Sequence, residues 1–206
     1  MLKIWGRNNS VNVQKVMWLV NELALPHERI DAGLAHGLND QDWYLAMNPN
    51  GRIPVIDDDG TVLWESHAIV RYLAARHAAG SWWPEDAGVR AQSEKWMDWN
   101  LGMLQAPMTV VFWQLVRTPE AERDMAAVAA NLKAANSLWQ IFDAALEGRD
   151  FIAGDIPTVG DIPMGAMAYR WLHMDIERPD VPNIQAWHAR LAERPAFREH
   201  VMLPIS

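Results

Sequence analysis

Three short segments of this 206-residue chain concentrate groups that could hold an anion or a peptide. The first is Arg7-Asn8-Asn9-Ser10-Val11-Asn12-Val13-Gln14-Lys15, where a short apolar run broken by Gly6 gives way to a helical period. The first turn of a helix has amide N–H groups without intrahelical partners and a partial positive charge, so it stabilises an anion beside it. Ser10 and Asn12 add side-chain donors at the same place. A free thiol with pKa near 8.5 is only about 3% ionised at pH 7, and lowering that pKa by about two units takes about 2.7 kcal/mol of thiolate stabilisation. A hydroxyl and a helix end together can supply it. Ser10 is equally suited to capping the helix, a role serine fills very often.

The second segment is Asn48-Pro49-Asn50-Gly51-Arg52-Ile53-Pro54-Val55. A proline at a strand start has no N–H for the ladder, so Ile53-Pro54 implies an edge, a bulge or a cis bond. A cis bond would turn the main-chain amide and carbonyl of Ile53 outward, where an extended peptide could pair with them as a strand does. The third segment is Trp64-Glu65-Ser66-His67. Glu65 closes a strand and Ser66 opens a helix, so the Ser66 hydroxyl and the first-turn amides can hold a carboxylate while Glu65 meets an ammonium. Together they fit the head group of a free amino acid. An ordinary cap with an exposed acid is the other reading of this pair.

These segments sit at the joints of a simple order of elements. Leu2–Trp5 reads as a strand, and Val13, Val16, Met17, Val20 and Leu23 mark a helix ending before Pro26. A strand at His27–Asp31 and a short helix at Asp40–Met47 follow. Ile53–Asp57 and Thr61–Trp64 form a hairpin around Asp58-Asp59-Gly60, and Ser66–Ala79 is helical. The order is βαβ, then ββα. Strand signals disappear after Gly80-Ser81-Trp82-Trp83-Pro84. The expected domains are therefore 1–79, a linker 80–87, and an all-helical 88–206. In the latter, one long run from Val89 to Val116 should kink at Pro107, and Pro119 should restart a helix that runs to Leu146. Helices at Thr158, Pro182–Glu193 and Pro195–Val201 complete the reading. Thr158-Val159-Gly160-Asp161 has a capping-box pattern, assigned to folding.

Composition bounds the chemistry. Half the residues are hydrophobic, 21% are charged and the net charge is -8. That describes a globular protein and disfavours nucleic acid or an anionic membrane surface as partner. No cysteine is present, so no disulfide, thiolate metal site or enzyme thiol takes part, and any reacting sulfur arrives with the ligand. No apolar run has signal-peptide or membrane-spanning length, which points to a cytoplasmic protein. His67, His77, His173, His188 and His200 show no metal-ligand spacing and read as surface or internally satisfied. Most of the 12 tryptophans, Trp96, Trp139 and Trp187 among them, sit at core spacing.

Taken in this order and spacing, the three segments resemble the cytosolic glutathione transferases, over nearly the whole chain. Ser10-Val11-Asn12-Val13 is similar to the thiol-activating segment of the serine-type classes, closest to the phi and theta-like bacterial groups. In the nu-like group an asparagine at the Asn12 position shares or takes that role. Asn48 to Pro54 matches the family's Asn-Pro-x-Gly-x-Val-Pro segment with its cis proline, and Glu65-Ser66 matches the pair that holds the γ-glutamyl end of glutathione.

The resemblance implies an α+β, thioredoxin-like first domain, an all-α second domain and a homodimer packed through the helices after Ser66 and Gly88. It makes glutathione a co-substrate, with no metal or other cofactor. Ser10 and Asn12 would be the catalytic residues. Ile53, Pro54, Glu65, Ser66, Arg52, Asn39 and His36 would bind glutathione. Met103, Val110 and Trp113 would line the electrophile pocket, with Arg7 and Asn8 at its mouth. Many relatives have glutamine where Arg52 stands, and a phi-type histidine-lysine pair is replaced by Asn39 and Asp40, which leaves open what grips the glycine carboxylate.

The expected activity is transfer of the glutathione thiolate to a hydrophobic electrophile in detoxification. Glutathione-dependent peroxide or disulfide reduction and a non-catalytic carrier are the alternatives. A zeta-type isomerase would need a serine-rich signature that this chain lacks.

Overall fold

Four strands form a mixed sheet in the order β2-β1-β3-β4, with β1 at Leu2–Trp5, β2 at His27–Ile30, β3 at Val55–Asp58 and β4 at Thr61–Trp64. All 206 residues are described by this computed structural model. β1 runs parallel to β2 and antiparallel to β3, and β3 runs antiparallel to β4. A parallel pair needs a crossover, which α1 (Val11–Glu22) supplies; the antiparallel β3-β4 pair needs only a turn. That turn places Asp59 and Gly60 at φ 49° and 93°, a region glycine enters without strain.

α1 is the centre of the molecule. Every residue from Val13 to Val20 is buried, so this helix has no solvent face along its middle. It packs on α3 (Ser66–His77) on one side and on α7 (Asp161–His173) and α9 (Pro195–His200) on the other. α2 (Asp42–Met47) covers the far edge, where Trp5, Ala32, Tyr44 and Val55 form a small separate cluster. The main core is one continuous cluster of 41 buried residues running from the sheet into the helices. Trp96, Trp139 and Trp187 all belong to it, and Trp139 stacks on Trp171 with ring centroids 5.0 Å apart.

The helical half departs from the sequence expectation in two places. The run from Val89 to Val116 is not one kinked helix. It divides into α4 (Ala87–Trp99), a π-helical segment Asn100–Leu104, α5 (Gln105–Phe112) and a second π-helical segment Trp113–Arg117. Pro107 has no N–H for the Met103 carbonyl four residues back, and the first π-helical segment lies just ahead of it, with the Gln105 N–H bonded to the Asn100 carbonyl five residues back. Nor does Pro119 start a helix. A 3₁₀ turn occupies Glu120–Glu122, and α6 (Met125–Ala145) begins where the Asp124 carboxylate accepts the Ala127 N–H at 2.9 Å.

α8 (Pro182–Ala192) follows α7 and packs against both α6 and α7. Ahead of α7, Asp161 reaches back to the Thr158 N–H at 2.8 Å and the Thr158 hydroxyl at 3.1 Å. It also accepts from Ile152 N–H at 3.1 Å and Trp187 Nε1 at 2.8 Å. Burial pushes its carboxyl up, and these four donors oppose that. Ser93 ties the knot to α4 through the Thr158 hydroxyl at 2.7 Å and the Gly160 N–H at 2.8 Å.

Candidate active site

A cleft of ≈ 450 Å³ opens between the sheet edge and α5, and it gathers residues from all three sequence segments. At its floor is the N-terminus of α1. Ser10 has extended backbone, φ -86° and ψ 121°, as an N-cap residue should, but its side chain caps nothing. The more usual role of such a serine is therefore not taken up, and the hydroxyl stands free at the cleft beside the first-turn amides of α1. Asn12 is the second residue of α1, within its first turn. Its Oδ1 accepts from Lys15 Nζ at 3.0 Å. A lysine ammonium only donates, so this contact turns the oxygen of the Asn12 carboxamide away and leaves its N–H₂ end for the cleft.

Lys15 is fully buried and also meets Nε2 of His67, itself buried in α3, at 3.0 Å. Burial, reinforced by the positive charge of Arg170 and opposed by Glu65, brings the Lys15 pKa down to about 7. Burial, with Lys15 and Arg71 nearby, pushes His67 down and keeps it neutral, able to accept from Lys15. His67 is thus an internal partner of the lysine and not a surface residue.

The peptide-like edge comes next. The Ile53-Pro54 bond is cis, and the N–H and C=O of Ile53 take no main-chain partner within the chain. The loop before it is braced from beneath, since Asn48 Nδ2 and Tyr44 Oη both donate to the Arg52 carbonyl, at 2.9 Å and 2.8 Å. Asn39 donates to the Gly51 carbonyl at 2.8 Å, so part of its donor capacity is spent on this loop. The Arg52 side chain is exposed at the cleft.

At the β4-α3 corner, Glu65 sits in the left-handed region at φ 70°, ψ 110°, and presents its carboxylate to the cleft beside the buried Ser66. A non-glycine residue held there costs about 1–3 kcal/mol, a strain that gathers at functional sites.

Arg7, Ser10, Asn12, Asn39, Arg52, Ile53, Pro54, Glu65, Ser66 and Trp113 all line this one cleft. Asn8, His36, Met103 and Val110 do not. Asn8 and His36 point to solvent. Their neighbours Asn9 and Leu34 take the cleft positions. The face of α5 that meets the cleft is Gln105, Met108, Thr109 and Phe112, a stripe at helical spacing. Val110 falls off that stripe. Met103 lies in the π-helical turn, where the extra residue per turn rotates it outward to 53% exposure. Arg117 and Arg170 also reach the cleft. Nothing in the local sequence marks either one, because they come from elements far apart in the chain.

No group of three or more His, Cys, Asp or Glu side chains is placed to hold a metal ion, and no helix is long and apolar enough to cross a membrane.

The family model described as glutathione S-transferase, N-terminal domain, matches residues 9–76, and that for the glutathione S-transferase C-terminal domain matches residues 103–195. Glutathione S-transferase GstB of Escherichia coli strain K12 is 43% identical over 208 residues, with 100% of both chains covered. The chain belongs to the glutathione S-transferase family. Another family member, glutathione S-transferase 3 of Zea mays, is 30% identical over 97% of this chain and 93% of its own. Among solved glutathione S-transferases, the theta class enzyme from Xanthomonas axonopodis pv. citri, with glutathione bound, superposes with a TM-score of 0.96. It is 44% identical and covers 100% of this chain and 99% of its own. The sheet-plus-helices first region and the all-helical second region described above are the two halves of the glutathione S-transferase fold.

Proposed function

We propose that this protein binds glutathione along the sheet edge and uses its thiolate to attack a hydrophobic electrophile. The tripeptide pairs with the main chain of Ile53 after cis-Pro54. Its γ-glutamyl ammonium meets Glu65, and its γ-glutamyl carboxylate meets Ser66 and the amides of α3. Arg52 and Asn39 are the groups nearest the glycine end. The sulfur then lies over the start of α1, held by the Ser10 hydroxyl, the Asn12 carboxamide and the helix amides, which favour the anion over the thiol. The thiolate forms a carbon–sulfur bond, and the leaving group departs with the bonding electron pair. Met108, Phe112 and Trp113 supply the apolar wall for the electrophile.

The observation that carries this reading is the uncommitted Ser10 side chain at the floor of a cleft that also contains Ile53, Glu65 and Ser66. Its test is the ultraviolet thiolate absorbance of bound glutathione, with turnover, in Ser10→Ala and Asn12→Ala. Each substitution should diminish both signals; if neither variant changes either signal, the assignment fails. A panel of electrophiles and hydroperoxides, run beside calorimetric glutathione binding, separates transfer from peroxide reduction and from a carrier that binds without turnover.

The same reading makes the protein a cytoplasmic detoxification enzyme and a homodimer, packed through α3 and α4. Exposed Val89 on α4 and Leu101 just beyond it, 40% and 42% accessible, supply apolar surface for that contact.

A further inference from the structure

Ser10 can hold a sulfur only where its main chain puts it, because its side chain makes no cap bond that would anchor it. The turn that carries it runs from Arg7 to Ser10. The Arg7 N–H donates to the Ala32 carbonyl at 3.2 Å, the Ser10 N–H donates to the Arg7 carbonyl at 3.3 Å, and the Ser10 carbonyl accepts from Gln14 at 2.9 Å as α1 begins. The Asn9 carbonyl receives no main-chain N–H. Its donor is the guanidinium of Arg170, at 2.7 Å, from α7. That carbonyl and the Ser10 N–H belong to one planar peptide unit, so holding the oxygen fixes the tilt of the plane from which the Ser10 hydroxyl projects. Of the two bonds on this plane, the one to Arg170 is the shorter and the charge-assisted one, which is the stronger kind.

Arg170 has little freedom of its own. It is 9% exposed, and the helix that carries it packs along α1. Its guanidinium sits 4.3 Å from the centroid of the Phe112 ring, so α5 backs it on one side. No aspartate or glutamate pairs with it. Arg117, by contrast, donates to the Ser206 main-chain oxygen at 2.6 Å. Burial, then Arg117 and Arg7, bring the Arg170 pKa down to about 9, so it remains a cation at neutral pH. Burying a cation for a single carbonyl contact is destabilising on its own, which points to a role beyond holding the fold.

We infer that Arg170 is a positioning residue for the sulfur: it fixes the Asn9-Ser10 peptide, and through it the Ser10 hydroxyl, at the start of α1. The inference rests on the glutathione site proposed above. It gives the helical half of the chain a part in thiolate formation, which the first half otherwise supplies alone. A donor that drifts out of line loses much of its hold on an anion, since hydrogen bonds weaken steeply with angle.

The test is the pH dependence of the thiolate absorbance of bound glutathione and of kcat/KM in Arg170→Met and Arg170→Gln, whose side chains are both too short to reach Asn9. Each should raise the thiol pKa by about one unit and lower kcat/KM below that pKa about tenfold. In a Ser10→Ala background, Arg170→Met should add less than about half of its effect alone, because the two act in series. Calorimetric affinity for S-methylglutathione, which has no thiol to ionise, should stay native in both variants. A pH profile that stays in place in both variants overturns the inference. So does an effect that adds to Ser10→Ala by about half or more, or an equal loss of S-methylglutathione affinity, which would make Arg170 a support of the cleft alone. A native profile in Ser10→Ala would instead remove the seat proposed for the sulfur, so the two failures are distinct.

Discussion

The Nζ of Lys15 lies 3.0 Å from Oδ1 of Asn12, inside the first turns of α1 and out of reach of solvent. A charge-bearing side chain placed where water cannot reach it requires a compensating role, and here that role is to orient a carboxamide. Lys15→Met keeps similar bulk but releases Asn12 to rotate. The thiolate pKa of bound glutathione should rise by about one unit, and kcat/KM measured below that pKa should fall about tenfold with it. A pH profile of kcat/KM reads both. A merely structural role would lower the yield of folded protein without moving the profile.

The same lysine makes stability depend on pH. Its ordinary pKa of 10.5 is lowered to about 7 in the fold, mainly by burial. Between those values the unfolded chain binds a proton that the folded chain has released, so this group makes stability rise with pH. Its unfavourable contribution is fully present below about pH 7 and is relieved as pH climbs toward 10.5. Denaturant melts across this window should show the rise in the native protein, and Lys15→Met should flatten it.

Thr158→Ala removes a hydroxyl shared between Asp161 and Ser93. Stability should fall by about 1–2 kcal/mol, as for loss of a helix cap. Turnover per folded molecule should stay at the native level, because this knot lies outside the cleft. Thermal denaturation read beside active-site titration distinguishes the two effects, and a rate loss in a variant of native stability would contradict the assignment to folding.

Glu65 offers a way to separate strain from binding. Both Glu65→Ala and Glu65→Gly delete the carboxylate and should raise the KM for glutathione alike, about tenfold or more, as a charge-assisted contact is lost. Only glycine accepts φ 70° freely. The glycine variant should therefore be more stable than the alanine variant by about 1 kcal/mol. Urea midpoints and glutathione titrations on the pair check this.

The sheet region and its edge were legible in the sequence because their signals are local. Pro54, Gly60, the Glu65-Ser66 joint and the periodic stretch after Ser10 each fix a turn or a helix start within a few residues. What escaped was set by distance along the chain. The burial of Lys15 depends on His67 and on helices more than a hundred residues away, and the convergence of Arg7, Arg117 and Arg170 joins three separate elements. Met103 and Val110 differ for another reason. A constant helical period through Pro107 puts both on the cleft face, whereas two π-helical segments reset the phase on either side of α5.

Because α1 is walled in on all sides, the boundary between the two halves of the chain is no seam along which they could part. Heat or urea should dismantle the molecule in a single cooperative step, and the first eighty residues, severed from the rest, would have the oily back of this helix laid bare and would tend to aggregate. The start of α1 and the α5 wall of the cleft share one continuous core with α9, so substitutions in α9 should disturb the cleft without lining it.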